Sequence, residues 1–259
     1  MGPLRVVSWN VNARRDSAAQ AGAVAAFHPD VVALQEVTPT GIGRFRDAFA
    51  ALGLPYLLAG AHLAAEAGQE AIAARAVVVA SRWPLAPCQP AVVPRQELVV
   101  CATLAAPHGP LELVAVHIPT WSNGWETKVE TQEGVALRIS ECAEPAILLG
   151  DFNAPKDELP DGTVVPFTRA SNVRGRAAEL GLTAPGLATS GFVDAFRTAN
   201  GYGPRDASWF WKNRGRTGGF RLDHIFASPG LIPTACWYAH NLRLGGMSDH
   251  SPIIADLEP

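Results

Sequence analysis

The stretch Ile147-Leu148-Leu149-Gly150-Asp151-Phe152-Asn153 runs from apolar and small residues straight into an acid, an aromatic and an amide. A buried strand therefore ends there, and two polar side chains emerge at its mouth. Alternation along an extended backbone sends Asp151 and Asn153 to one side. A carboxylate able to take a proton then stands beside an amide able to hold a phosphate oxygen or a water. The same arrangement recurs in Ser8-Trp9-Asn10-Val11-Asn12, Leu34-Gln35-Glu36, Val116-His117-Ile118-Pro119, Leu222-Asp223-His224 and Ser248-Asp249-His250. Six runs that end in acid, amide or imidazole point to one shared site, of the kind that metal-assisted phosphoester hydrolysis needs.

Working outward from that strand, further strands are expected over residues 4–9, 31–34, 56–59, 72–81, 98–104, 111–117, 207–211, 222–227, 236–240 and 253–257. Pro107-His108-Gly109-Pro110 reads as a hairpin loop. Helices are expected over residues 16–27, capped by Asp16 or Ser17, over 40–52, closed by Gly53, and over 125–142, with Val129, Val135, Leu137 and Ile139 at helical spacing. A short helix is expected over 193–199. Residues 60–71 fit a surface loop or a short helix. Residues 154–192, rich in Pro and Gly, read mostly as loop with a helical turn near 176–180. The order β-α-β-α, then β-rich, then α-β, then β-rich, describes one α/β domain over residues 1–259. Periodicity alone leaves open whether it holds one sheet or two.

With 48% hydrophobic and 17% charged residues, the 259-residue chain can build a sizeable core and is not a disordered one. The formal charge of -3 gives no global attraction to nucleic acid, so positive charge for a phosphate must be local or come from a metal. Cys88, Cys101, Cys142 and Cys236 form no Cys-x-x-Cys pair, which removes a zinc-site reading and suits buried thiols in the cytoplasm. No signal peptide, myristoylation pattern or membrane-length apolar run is visible, so stable membrane insertion is not expected and a cytoplasmic monomer is. A Gly-x-Ser-x-Gly elbow and a Walker loop are also lacking, which argues against serine hydrolases and NTPases.

Each polar residue has a plain reading beside its chemical one. Glu36 is either a solvated strand-end acid or a hard oxygen ligand for Mg²⁺ or Mn²⁺, with Asp249 as a second ligand. His250 either sits in a turn capped by Asp249 or, oriented by Asp223, contacts a scissile phosphate or passes a proton. Asp151 is the better candidate for activating water. Asn10 and Asn12 form turns, or order carboxylates or phosphate oxygens. His117 is a structural histidine or a member of the site. Arg205, Lys212, Arg214, Arg216 and Arg221 surround Ser208-Trp209-Phe210-Trp211, which suits a polyanion with stackable bases or a strand of core tryptophans under a basic loop.

Taken in order, Ser8-Trp9-Asn10-Val11-Asn12, Gln35-Glu36, Gly150-Asp151-Phe152-Asn153, Phe220-Arg221-Leu222-Asp223-His224 and Ser248-Asp249-His250-Ser251-Pro252 resemble the endonuclease/exonuclease/phosphatase superfamily along almost the whole chain. The resemblance implies a four-layer αββα sandwich of two packed, mainly antiparallel sheets flanked by helices, with a divalent-metal site at one end of the sheets. It implies a metal on Glu36 with Asn12 and Asp249 close by, a water set by Asp151, and phosphate contacts from Asn10 and Asn153. Asp223 and His250 would form the acid–imidazole pair. Trp9 to Arg15, and Trp209 ahead of Arg221, look most like the exonuclease III and abasic-site endonuclease branch, which implies substrate contacts for Arg15, Trp209 and Arg221. His117-Ile118-Pro119 stands where that branch has Tyr-x-Pro, and is more like deoxyribonuclease I and the enzymes of lipid and inositol phosphates. Two functions follow as expectations: a DNA nuclease, endonucleolytic or 3′-exonucleolytic, or a phosphodiesterase or phosphatase on a small or lipid phosphate.

Overall fold

The computed structural model describes residues 2–14, 16–68, 75–143 and 145–259. In chain order they form β1 (Leu4–Asn10), α1 (Ser17–Ala25), β2 (Val31–Val37), α2 (Pro39–Ala51), β3 (Tyr56–Ala59), α3 (Gly60–Glu66), β4 (Ala76–Ser81) and β5 (Leu85–Pro87). Then come β6 (Val99–Ala106), β7 (Gly109–His117), α4 (Trp125–Ser140), β8 (Ala146–Asp151), β9 (Asp157–Glu158), β10 (Val164–Val165), α5 (Val173–Gly181) and α6 (Ala184–Leu187). The last are β11 (Val193–Asp194), α7 (Ala195–Asn200), β12 (Trp209–Asn213), β13 (Arg216–Phe220), β14 (Asp223–Ala227), β15 (Ile232–Tyr238), α8 (His240–Leu244) and β16 (Ile253–Glu258).

Two six-stranded sheets result, in the orders β15-β16-β1-β2-β4-β3 and β11-β14-β8-β7-β6-β5. Each holds one parallel pair, β1 with β2 and β7 with β8, and every other pairing within these two sheets is antiparallel. A parallel pair needs a crossover, supplied by α1 and by α4. It also ends both strands at one edge of the sheet, so Asn10 and Glu36 emerge together, as do His117 and Asp151. The antiparallel neighbour β14 begins at that same edge, with Asp223 opposite Asp151.

Period-two alternation splits each central strand between two cores. Val6 and Val31 face Leu113, Ile147 and Leu149 of the other sheet, while Val7, Val32 and Leu34 turn outward onto Ala21, Val24, Phe45 and Phe49 of α1 and α2. Val114, Val116 and Leu148 pack on Val135 and Ile139 of α4. The layers are helix, sheet, sheet, helix, as the resemblance implies.

Several local expectations change. Asp16, not Ser17, caps α1, its carboxylate accepting from Ala19 N. Residues 60–66 take the helical alternative. The strand expected from residue 72 begins at Ala76, and residues 72–74 lie outside the described residues. Leu137 is 57% exposed; the buried face of α4 instead carries Lys128, Thr131, Gln132, Val135, Arg138 and Ile139. The segment 154–192 is not mostly loop: it holds β9, β10, α5 and α6. The wholly buried Glu179 of α5 organises it by accepting from Phe167 N, Thr168 N and Thr168 Oγ1 at 2.7, 3.0 and 2.5 Å. Val193 and Asp194 pair with β14, and the helix expected there starts only at Ala195, capped by Asp194. His240 opens α8 rather than ending a strand.

Candidate active site

Gly150 sets the approach to the site. Its φ is +149°, and a Cβ there would lie 2.0 Å from Val116 O, so no other residue fits. Asp151 follows as the last residue of β8 and is 1% exposed. The extended strand stops there, because Asn153 has φ +47°. A turn rather than strand alternation therefore joins the two: Asn153 N donates to Asp151 Oδ1 at 2.9 Å, and Asn153 Nδ2 donates to Ile118 O at 2.9 Å. The first sheet repeats the device, with Asn12 N donating to Asn10 Oδ1 at 2.9 Å and Asn12 at φ +49°. Asn10 Nδ2 then crosses between the sheets to Asp151 Oδ2 at 2.9 Å and also reaches Glu36 Oε1 of the neighbouring strand β2 at 3.4 Å. With both ends of its amide engaged, Asn10 takes the carboxylate-ordering alternative.

Glu36 is aimed inward by a positive φ of 59° and an irregularity in the β2–β4 register between Leu34 and Val37. Arg75 pairs with its Oε2. His117 Nε2 stands 3.9 Å from Glu36 Oε1 and 3.8 Å from Asp151 Oδ2, so His117 belongs to the cluster.

His250 arrives from the loop before β16. Ser248 Oγ donates to Asn10 O at 2.6 Å and accepts from His250 N at 3.2 Å, while Trp9 Nε1 donates to His250 O at 2.9 Å. His250 Nδ1 bonds to Asp223 Oδ2 at 2.8 Å, which turns Nε2 toward Asp151 Oδ2 at 3.9 Å. Burial alone would lower the imidazole's pKa, but the Asp223 and Asp151 carboxylates raise it to about 10. Asp223 is itself fixed through its backbone, N–H on Ser208 Oγ at 3.1 Å and C=O on Tyr238 OH at 2.6 Å. Behind His250, Asp206, His240 and Ser251 line up at 2.8 and 2.9 Å like a hydrolytic triad, yet Ser251 is fully buried and no substrate reaches it.

Asn10, Glu36, Asp151, Asn153 and His250 open into a cleft of about 330 Å³ lined also by Trp121, Lys128, Phe167, Trp209, Phe220, Leu222 and Asp249. Trp209 stacks on Phe220 with centroids 6.1 Å apart, and its Nε1 donates to Asp249 Oδ2 at 3.2 Å. Asn12 stays beside the cluster through its backbone bond to Asn10. Arg15 lies outside the described residues. Arg221 is a correction: it is 5% exposed, and its guanidinium is held by Glu158 at 2.7 and 2.8 Å and by Asp194 at 2.7 and 3.3 Å. Two buried carboxylates, from β9 and β11, claim it before any substrate can. Sequence reasoning missed Lys128, whose only signal is its place on the buried face of α4.

The donor set fits a divalent cation. The oxygens Glu36 Oε1 and Asp151 Oδ2 converge on one amide nitrogen, and Asp249 adds a carboxylate to the same cleft wall. Asp151, Asp223 and His250 also bring ligand atoms within 4.8 Å of one another, but Asp223 and the Nδ1 of His250 are spent on each other, which leaves Glu36, Asp151 and Asp249 as the carboxylates that line the cleft.

Two facing parallel-strand ends thus join a buried acid–imidazole pair to a second carboxylate and a cation site, and this defines a phosphoester hydrolase. Residues 7–250 match the endonuclease/exonuclease/phosphatase family, and the chain belongs to it. No curated protein matches the sequence. The structure is similar to that of an AP endonuclease from Archaeoglobus fulgidus, at 20% identity and a TM-score of 0.74, over 99% of this chain and 100% of that one. It is also similar to the 3′ phosphatase NExo from Neisseria bound to a product DNA hairpin, at 20% identity and a TM-score of 0.70, over 99% and 100%. A third likeness is TDP2 from D. rerio complexed with single-strand DNA product, at 18% identity and a TM-score of 0.68, over 99% and 99%. At such identities these likenesses establish the fold.

Proposed function

We propose that this protein is a Mg²⁺-dependent DNA nuclease that acts as a single-domain cytoplasmic monomer and hydrolyses a phosphoester at an abasic site or a 3′ end. The observation that carries this reading is the aromatic wall of Trp209 and Phe220, with Phe167 and Trp121, set beside Asp151 and His250. Stacking surfaces of this kind suit an extruded or terminal nucleotide. The DNA-bound relatives named above support the choice, and four free thiols suit a reducing compartment.

In the proposed mechanism Asp151 Oδ2, steadied by Asn10 Nδ2, takes the proton of the attacking water. His250, held protonated by Asp223 and Asp151, donates from Nε2 to a phosphoryl oxygen as negative charge grows there. Asn153 spends one side-chain N–H on Ile118 O and offers the other to the phosphate. Glu36 and Asp249, with Asn12 close by, would hold the cation, which when bound would supply Lewis-acid polarisation of the phosphoryl group and charge for the leaving oxygen.

His117 favours a second reading, a phosphodiesterase or phosphatase on a small or lipid phosphate, because it lies between Asp151 and Glu36 rather than beyond the site. The test is hydrolysis with and without Mg²⁺ of plasmid, a duplex with one abasic analogue, single-stranded DNA, an inositol phosphate and sphingomyelin, with Asp151→Ala as control. Metal-dependent cutting of DNA that the variant lacks is the expected result. Intact DNA with turnover of the small or lipid phosphate would replace the first reading by the second.

A further inference from the structure

Lys128 is 1% exposed, yet it lines the cleft that holds Asp151, Asn153 and His250. Its Nζ donates to Asn153 O at 2.8 Å and stands 5.1 Å from the centre of the Trp121 ring. No carboxylate lies within salt-bridge distance of it among the described residues. The acids that act on it from further away are Glu179 and Asp151. Both are already engaged: Glu179 by three donors from Phe167 and Thr168, Asp151 by Asn10 and by Asn153 N. A buried ammonium whose counter-charges are not in contact with it is costly. Burial accordingly lowers its pKa to about 8.

Holding the Asn153 turn in its left-handed conformation does not require that charge, since a neutral donor would bond the carbonyl equally well. What the ammonium adds is a positive charge with N–H groups to spare, in the wall of a cleft built around a phosphoryl group. Negative charge on the non-bridging oxygens is what such a site must meet along the reaction.

We propose that Lys128 contacts substrate, its ammonium holding a non-bridging oxygen of the phosphoryl group beside Asn153, a role that rests on the phosphoester-hydrolase reading and adds an anion-binding residue to it. Two variants separate this from a structural role. Lys128→Met removes donor and charge, while Lys128→Gln keeps a donor for Asn153 O and removes the charge alone.

Inorganic phosphate, titrated calorimetrically into each protein in the presence of Mg²⁺, is the first probe. Both variants, folded by near-ultraviolet circular dichroism, are expected to bind it about tenfold more weakly or worse. On DNA, kcat is expected to fall about 100-fold with KM little changed. The preference between the two phosphorothioate diastereomers at the scissile bond is expected to differ from that of the wild type, an effect that a purely structural role would not produce. Should Lys128→Met fail to fold, Lys128→Gln carries the same three readouts. Wild-type phosphate affinity together with an unchanged diastereomer preference in a folded variant would overturn the proposal. Phosphate binding that depends on Lys128 in a wild-type protein inert on DNA would uphold it and sink the nuclease reading instead.

Discussion

Replacing Arg221 with Met separates what its position in the sequence implies from what the structure does with it. The side chain makes charge-assisted hydrogen bonds to Glu158 at 2.7 and 2.8 Å and to Asp194 at 2.7 and 3.3 Å, all buried. Removing it leaves two buried carboxylates beside Arg197 and His224. Breaking a buried pair from one side costs about 3–5 kcal/mol. For a chain of this length each kcal/mol is about 2–4 °C, so Tm is expected to fall by about 6–20 °C. The loss depends on pH in a defined direction. Burial works to raise Glu158, but the Arg221 and Arg197 guanidinia override it and hold the carboxyl at about 2 instead of 4.5. A depressed carboxylate stabilises fully above pH 4.5 and loses its contribution as pH falls toward 2, a difference of about 3 kcal/mol. The gap between wild type and variant is therefore widest near neutrality and closes in acid. Urea and thermal melts from pH 7 to pH 2, with KM measured well below the variant's Tm, test this. A variant that melts within about 2 °C of the wild type while its KM rises tenfold would refute the buried-anchor account and restore Arg221 to the substrate.

Asp223→Asn removes the charge that, with Asp151, holds His250 up at about 10; the protonated imidazole is then lost earlier as pH rises, so the alkaline limb of the rate profile moves to lower pH, as a pH series of kcat would record. Gly150→Ala places a Cβ 2.0 Å from Val116 O at a φ of +149°, and the clash is expected to cost on the order of 3 kcal/mol in chemical denaturation and to weaken activity by moving Asp151. Lys128 has its pKa lowered from 10.5 to about 8, so its buried charge destabilises the fold below pH 8 and that penalty fades between 8 and 10.5. Lys128→Met is thus expected to be about 1–3 kcal/mol more stable than wild type at pH 7 and to lose that advantage by pH 10.5, measured as urea midpoints.

Chemistry that follows from local chain geometry could be read directly from the residues. Apolar runs define the strands; Asn10, Glu36, His117 and Asp151 mark where such runs stop, while Asp223 opens β14 and His250 precedes β16 rather than ending a strand, so a shared polar edge is legible in the sequence but not the direction in which each strand meets it. The resemblance supplied the two-sheet sandwich that periodicity could not, because alternation reports which faces are buried and not how many sheets bury them. The segment 154–192 was misread because Glu179 orders it from within the interior, and a buried acid looks like a surface acid in a sequence. Arg221 and Lys128 escape a sequence reading for the same reason. A cation's role depends on which anion it meets: Arg221 finds Glu158 and Asp194, 63 and 27 positions away, while Lys128 has no carboxylate within salt-bridge distance among the described residues and is left facing the cleft. Strand ends follow from local chain geometry, but whether a charge is paired is decided only when distant segments fold together, and that pairing decides whether the charge serves the fold or the site.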